Sequence, residues 1–294
     1  MSLSVSTLAL KVSGNPRVLT VANIGADAAL LLSVDPGVFP AGTSSATTCG
    51  STLAPGATCT ITISPGTSPS AVPGVLASAA VPVVIQGSNT NTLTADVHVL
   101  AYGSFYQGGQ VFAMDDTTPN SGSVGGKVAA TTGLKPGWSV DKVSGGFTVF
   151  DVAGVADNSV GPAPACDAKF DGACNTDLIV GHPRHDTIPP ADYAAGMCRS
   201  ATLNSYSDWY LPAICEMAAG GTVGCPGGET MDEKLQVPGY ATFPDSWSST
   251  QTSFDPFALV WVETFTSVPG AGPSIYFKGI TGAMAASCVR KLTP

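Results

Sequence analysis

Residues 191–212 read A-D-Y-A-A-G-M-C-R-S-A-T-L-N-S-Y-S-D-W-Y-L-P, and the rest of the chain is organised around them. Ala191, Ala194, Ala195 and Cys198 recur at helical spacing, which predicts a short helix with the cysteine turned inward. Pro189-Pro190 stands just ahead, where a missing backbone N–H costs a helix nothing. A polar turn follows, then the compact run Asp208-Trp209-Tyr210-Leu211-Pro212. The chain closes on Ser287-Cys288-Val289-Arg290, so a cysteine on a central helix faces another on the last strand. The reading is a fold tied end to end.

The eight cysteines fall into close couples, Cys49/Cys59, Cys166/Cys174 and Cys215/Cys225, leaving Cys198 and Cys288. None forms C-x-x-C and there are only three histidines, which argues against a zinc framework. Four structural disulfides in an oxidising compartment are expected instead. In the chain-entropy model the loop closed by Cys49 and Cys59 is worth roughly 2.8 kcal/mol, and that closed by Cys198 and Cys288 roughly 4.6 kcal/mol.

Apolar residues make up 44% and charged residues only 11%, a balance that excludes a disordered chain. The 34 glycines and 23 prolines have no Gly-X-Y period; with abundant Val, Thr and Ser they predict a β-rich protein with many turns. Net charge is −9, with −1 in residues 1–103 and −8 in the remainder. No Lys/Arg cluster exists, so nucleic acid is not an expected partner. No apolar run of 18 residues is present, so no membrane span is expected. A secreted or cell-surface protein is anticipated, with Met-Ser-Leu standing where a removed leader would be.

In the first hundred residues, Leu8-Leu10-Val12 and Val18-Thr20-Ala22 alternate about the turn Ser13-Gly14-Asn15-Pro16, and the apolar run Ala28–Leu32 follows. Further strands are read at 59–63, 81–85 and 93–102, which together suggest a β-sandwich. His98, in the last of these, is read as a strand residue on the polar face. Leu19-Thr20-Val21-Ala22-Asn23-Ile24-Gly25, followed by the segment from Cys49 to Ile61 with Leu53, Pro55-Gly56 and Cys59, resembles Ig-like modules of the abnormal-spindle/hydin type. The resemblance implies a seven-stranded spacer or docking domain without catalytic residues.

Beyond Gly103, Gly108-Gly109-Gln110-Val111-Phe112 opens a new unit with a turn and a strand, and 147–150 is read as another strand. Asp157, Asp167, Asp171 and Asp177 surround the Cys166/Cys174 couple; such oxygens could take calcium, the one cofactor considered, although the spacing lacks the EF-hand pattern. Asn175 is read as a helix cap. His182-Pro183-Arg184-His185-Asp186 is weighed as a two-histidine, one-carboxylate metal site and read as a surface loop, because Pro183 breaks helical presentation; no metal ligand is assigned. A second helix is expected around Ile214, Cys215 and Met217, then β-segments at 246–250, 258–265, 274–277 and 286–292.

This order resembles the C-terminal domain of bacterial collagen-like adhesins. The shared blocks are Gly108–Phe112, Asn175-Thr176 with Ile179, Tyr193–Cys198, Tyr206–Pro212, Trp247-Ser248-Ser249-Thr250 and Cys288-Val289-Arg290. The resemblance implies two domains: an all-β Ig-like sandwich over 1–103, then an α+β C-type-lectin-like domain over 104–294. It further implies attachment to host or extracellular-matrix glycans or proteins, often as a homotrimer. Two departures stand out. A Gly-X-Y stalk is replaced by the Ig-like module, and a domain of net −8 repels a polyanion on average, so sulfated-glycan binding is not carried over.

Sugars stack on flat apolar faces, which makes Trp138, Trp209, Tyr210, Trp247 and Trp261 candidates. Trp209 and Trp247 belong to signature segments and are read as core; Trp138, beside Pro136-Gly137, is read as the exposed ligand-binding candidate. The Glu-Pro-Asn loop and Trp-Asn-Asp strand of calcium-dependent lectins are absent. The glycine-rich stretch Gly220–Gly228 and the turn near Pro273 are expected to carry the ligand loops. The alternatives are a non-catalytic structural or protein-interaction module and an enzyme with the fold of formylglycine-generating enzymes. The latter needs a reactive cysteine pair, and no catalytic residue is assigned because every cysteine has a structural partner in view.

Overall fold

Two-residue alternation of apolar side chains governs the first hundred residues, and it puts one face of each strand into a shared core. The computed structural model describes residues 1–131, 136–138, 149–161, 165–186, 188–238, 240, 242–265, 272–279 and 284–293. Its early strands are β1 (Ser2–Leu3), β2 (Thr7–Lys11), β3 (Arg17–Ala22), β4 (Ala29–Leu30) and β5 (Ser33–Asp35). They continue with β6 (Ser44–Thr47), β7 (Thr52–Leu53), β8 (Thr58–Ser64), β9 (Val81–Gln86) and β10 (Leu93–Leu100).

These strands form two four-stranded sheets, ordered β1-β3-β8-β6 and β2-β10-β9-β5, with β4 and β7 paired separately. The pairing of β3 with β8 is antiparallel and sets Leu19 opposite Ile61 and Val21 opposite Cys59. In the other sheet β10 runs parallel to β2 and antiparallel to β9. Leu19, Val21, Ile61 and Ile63 from one sheet and Leu8, Leu10, Val83 and Val97 from the other share one buried core. A sandwich of two sheets results. Two expectations change here. Of the apolar run 28–32, Ala29 is buried in the core and Leu32 packs half-buried against it, while Leu31 takes a positive φ of 51° and stays 73% exposed. His98 lies on β10 as read, but it is only 9% exposed, with its ring 4.8 Å from that of Tyr106.

The later elements are β11 (Phe105–Tyr106), β12 (Gly109–Asp115), β13 (Gly125–Ala129), α1 (Gly172–Val180), α2 (Ala194–Ser200), α3 (Ile214–Met217) and α4 (Met231–Leu235). Four strands follow: β14 (Ser246–Gln251), β15 (Leu259–Glu263), β16 (Ser274–Phe277) and β17 (Val289–Lys291). Among the described residues the chain is β-rich with few helices. The part of the expected strand at 147–148 lies outside the described residues, and Val149-Phe150 are not in a strand.

The chain divides into two units. The first comprises Met1–Tyr106, Met114–Gly126 and Lys291–Pro294; the second comprises Gln107–Ala113 and Lys127–Arg290. Arg17 explains why residues 114–126 group with the first unit. It occupies a core-facing position of β3 and is fully buried. Its guanidinium pairs with Asp116 at 2.9 Å and donates to the hydroxyl of Thr118 and the carbonyls of Pro119, Gly122 and Ser123 at 2.9–3.2 Å. A buried charge without such partners would cost several kcal/mol, so the 116–123 segment is the counterpart that makes Arg17 tolerable.

In the second unit, residues of β12, β13 and β17 line up in that order, and β14, β15 and β16 form a separate antiparallel sheet. Phe112, Met217, Met231, Phe243, Phe265 and Val289 pack in one core cluster. Helix α1 begins earlier than its sequence suggests. Asp171 caps it, its carboxylate accepting from the Cys174 amide at 3.1 Å, whereas Asn175 is interior and fully buried. Asn175 instead donates to the Ala168 carbonyl and the Ser249 hydroxyl at 2.7 and 3.1 Å. In α2, Ala194, Ala195 and Cys198 face inward, but Ala191 precedes the helix and is exposed.

Four disulfides join the couples read from the sequence: Cys49–Cys59, Cys166–Cys174, Cys198–Cys288 and Cys215–Cys225. All eight thiols are thereby consumed.

Candidate functional site

The Asp208–Pro212 run is a platform. Tyr210 exchanges both backbone hydrogen bonds with Val289, next to the Cys198–Cys288 bridge. Asp208 grips Arg290 through two bonds of 2.6 and 2.9 Å, and the guanidinium lies 4.0 Å over the Tyr206 ring. The hydrogen bond from Arg290 holds the Asp208 carboxyl below its usual range. Buried Glu216 accepts from the Tyr210 hydroxyl at 2.9 Å and the Ala213 amide at 2.8 Å, and pairs with Lys127 at 2.7 Å. Burial, reinforced by the Glu216 charge, pushes the Tyr210 hydroxyl well above its ordinary range. These polar side chains are spent on architecture.

The loops expected to meet a ligand do come together. Gly221 has φ of +65°, and a Cβ there would sit 3.0 Å from the ring of Pro273, so the 220–228 loop approaches the turn before β16 as closely as glycine permits. Cys215–Cys225 and the buried residues Ile214, Val223 and Trp261 anchor that loop. Beside it opens a cleft of about 400 Å³, which also takes in Asp157, Asn158, Lys169, Phe254 and Ile275. Phe254 is 66% exposed and Ile275 37%. Asp157 forms part of the wall: one oxygen accepts from the Ser253 amide at 3.1 Å, the other from the Trp261 indole at 2.7 Å. Lys169 donates to the Val223 carbonyl at 3.2 Å.

Trp138 is not the exposed platform anticipated. It is 1% exposed, its indole donates to the Ser248 carbonyl at 2.8 Å, and the Lys278 ammonium lies 4.4 Å over its ring. Pro136-Gly137 leads the chain inward, and Gly137 bridges to Tyr193. Trp209 and Trp247 are fully buried, as expected for core. Lys278 is itself fully buried and donates to Phe150 O, Gln251 Oε1 and Pro256 O, which uses all three of its protons. Burial lowers its ammonium to about 7, against the pull of Asp151 and Asp255. Glu263, also fully buried, has no well-formed hydrogen bond to either carboxyl oxygen among the described residues. Burial first, then Asp232 and Asp245, raise it to about 8, against the Thr264 backbone amide, which pulls the other way.

The remaining candidates disperse. Besides Asp157 in the cleft and Asp171 on α1, Asp177 pairs with Arg199 at 2.9 Å. His182 stacks on Phe150 at 4.6 Å. His185 stacks on Tyr193 at 3.9 Å, with Nδ1 donating to the Ile179 carbonyl at 2.6 Å. Burial lowers both imidazoles. Among the described residues no three His, Cys, Asp or Glu side chains are placed to hold one metal ion.

Sequence reasoning missed Phe254. The signal was available: an aromatic between Ser253 and Asp255-Pro256, in turn chemistry linking two strands, has no core to enter. No protein-family model matches the chain, and no curated protein matches it. Among solved structures, the CupB2 chaperone of Pseudomonas aeruginosa is 12% identical, with 33% of this chain and 55% of that chain covered and a TM-score of 0.25. The secreted serine protease VesC of Vibrio cholerae is 15% identical, with 49% of this chain and 36% of that chain covered and a TM-score of 0.24. Likeness at this level carries no argument about fold or activity.

Proposed function

We propose that this chain is a secreted or surface-exposed bacterial adhesin, in which an Ig-like module presents a C-type-lectin-like domain that attaches to host or matrix glycans or proteins. The observation that carries the reading is the cleft beside the 220–228 loop. It sets exposed apolar side chains, Phe254 and Ile275, next to polar Asn158 and Lys169 on a wall fastened by a disulfide. Concave sites that mix apolar surface with a few fixed polar groups are where small ligands bind. The four disulfides support an oxidising destination, and no helix among the described residues is long and apolar enough to cross a membrane.

The role is binding rather than catalysis. All eight cysteines are bridged, and the buried ionisable groups Arg17, Glu216 and Arg290 are engaged in structural pairs. The test is a screen of the intact, oxidised protein against immobilised glycans and matrix proteins, with sedimentation in parallel to read the homotrimer that the family resemblance implies. Binding that Phe254→Ala weakens supports the reading. An absence of binding to every glycan and matrix protein would leave the structural-module alternative in its place.

A further inference from the structure

Resting on that binding role, we propose that the cleft takes a neutral, hydroxyl-rich sugar residue, with its apolar face on the Phe254 ring and its hydroxyls toward Asn158, Thr222 and Ser253. The platform is a built one. Phe254 stands 66% exposed in the β14–β15 connection, and that connection is pinned on both sides of it. The Ser253 amide donates to Asp157, the Asp255 amide to the Thr252 hydroxyl at 3.3 Å, and the Ala258 amide to Asp255 at 3.0 Å. A ring held in solvent by its own backbone gives a ligand a face without an ordering cost on binding.

Charge selects the ligand class. The cleft holds one anion and one cation, and both are turned into its wall: Asp157 spends its two oxygens on Ser253 and Trp261, and Lys169 reaches the Val223 carbonyl. No net charge is left to reward a sulfated or carboxylated glycan, and the −8 of residues 104–294 penalises one. What faces solvent is a carboxamide at Asn158 and hydroxyls at Thr222 and Ser253, all exposed and all able both to donate and to accept. Vicinal sugar hydroxyls need that dual capacity, and a pyranose supplies the flat C–H face that a phenyl ring lacks a partner for.

The experiment titrates the oxidised protein with a panel of neutral oligosaccharides, with heparin and with a collagen peptide, reading intrinsic tryptophan emission. Trp261 lines the cleft and reports occupancy. Neutral sugar binding is expected, unchanged between about 0.05 and 0.5 M salt. Phe254→Ala should weaken it roughly tenfold and Asn158→Ala roughly threefold, the range for one stacking face and one hydrogen bond. Both side chains are solvent-exposed, so neither variant threatens the fold. Binding of heparin without neutral sugars, or neutral sugar binding indifferent to Phe254→Ala, overturns the assignment. Capture of the collagen peptide alone overturns it while sparing the adhesin reading, and binding of none of the three panels removes both.

Discussion

Replacing Glu263 by glutamine should stabilise the protein, and more so as pH rises. The carboxyl is fully buried without a well-formed hydrogen bond among the described residues, and its proton is held until about pH 8 against an ordinary value of 4.5. Between these two values the unfolded chain has released the proton and the folded chain has kept it. Stability contributed by this group is therefore fully present below pH 4.5 and is lost progressively as pH rises toward 8. At about 1.4 kcal/mol per pH unit, the loss is under 1 kcal/mol at pH 5 and a little over ~4 kcal/mol at pH 8, before local relaxation.

Glutamine keeps the shape and cannot ionise, so whatever its amide costs in that pocket is the same at both pH values. The difference between the two differences isolates the proton. With local relaxation admitted, about 2–4 kcal/mol should separate the effect of Glu263→Gln at pH 8 from that at pH 5, or roughly 4–16 °C in Tm for a unit of this size. All four tryptophans, Trp138, Trp209, Trp247 and Trp261, lie in the second unit, so their emission follows the melting of the unit that holds Glu263. An equal change in Tm at pH 5 and pH 8 would refute the reasoning. A larger loss at pH 8 would mean that Glu263 is ionised and paired in the folded protein.

Three further outcomes follow from the same accounting. Lys278→Met should be tolerated better at pH 6 than at pH 10: burial depresses the native ammonium from 10.5 to about 7, so wild-type stability rises through that interval and the variant lacks the rise, as paired melts will show. Cys198→Ser with Cys288→Ser should lower unfolding free energy by up to about 4.6 kcal/mol in denaturant titrations followed by tryptophan emission. Arg17→Met should cost the first unit about 2–3 kcal/mol: it removes the charge partner of Asp116, which keeps only the Asn15 amide, and it leaves the Gly122 carbonyl without its donor, so limited proteolysis should then cut within residues 114–126.

The sequence carried what depends on local spacing and on covalent pairing. Couples such as Cys49/Cys59 are so close that a short strand turn brings them together, and with three couples spent the last two cysteines have only each other. Alternation disclosed β2, β8 and β10, since period two is a property of neighbours; at β3 it pointed to Val18, Thr20 and Ala22, whereas Leu19 and Val21 on the opposite face fill the core. Arg17 was invisible for the opposite reason. Its partners lie about 100 residues away, and a single arginine in a strand carries no local mark of being buried. The cap of α1 was misread among equals, because Asp171 and Asn175 cap comparably well and only the burial of Asn175 against Ala168 decides between them.

The aromatic side chains show why the site was harder to see than the fold. Tryptophan offers the best stacking face and also the largest area to bury, so in a unit short of charged residues burial takes precedence. Trp138, Trp209 and Trp247 are each no more than 1% exposed. Each indole N–H finds an acceptor inside the fold: Ser248 O for Trp138, Tyr206 O for Trp209 and Pro136 O for Trp247. Trp261 gives its proton to Asp157 and so stands in the cleft wall, almost entirely buried. Phenylalanine has no such proton to satisfy, and a loop can hold it in water at the cost of exposed area alone. Where a binding face is wanted here, Phe254 can be kept exposed without leaving a donor unpaired, whereas each of these indoles has a fixed appointment elsewhere.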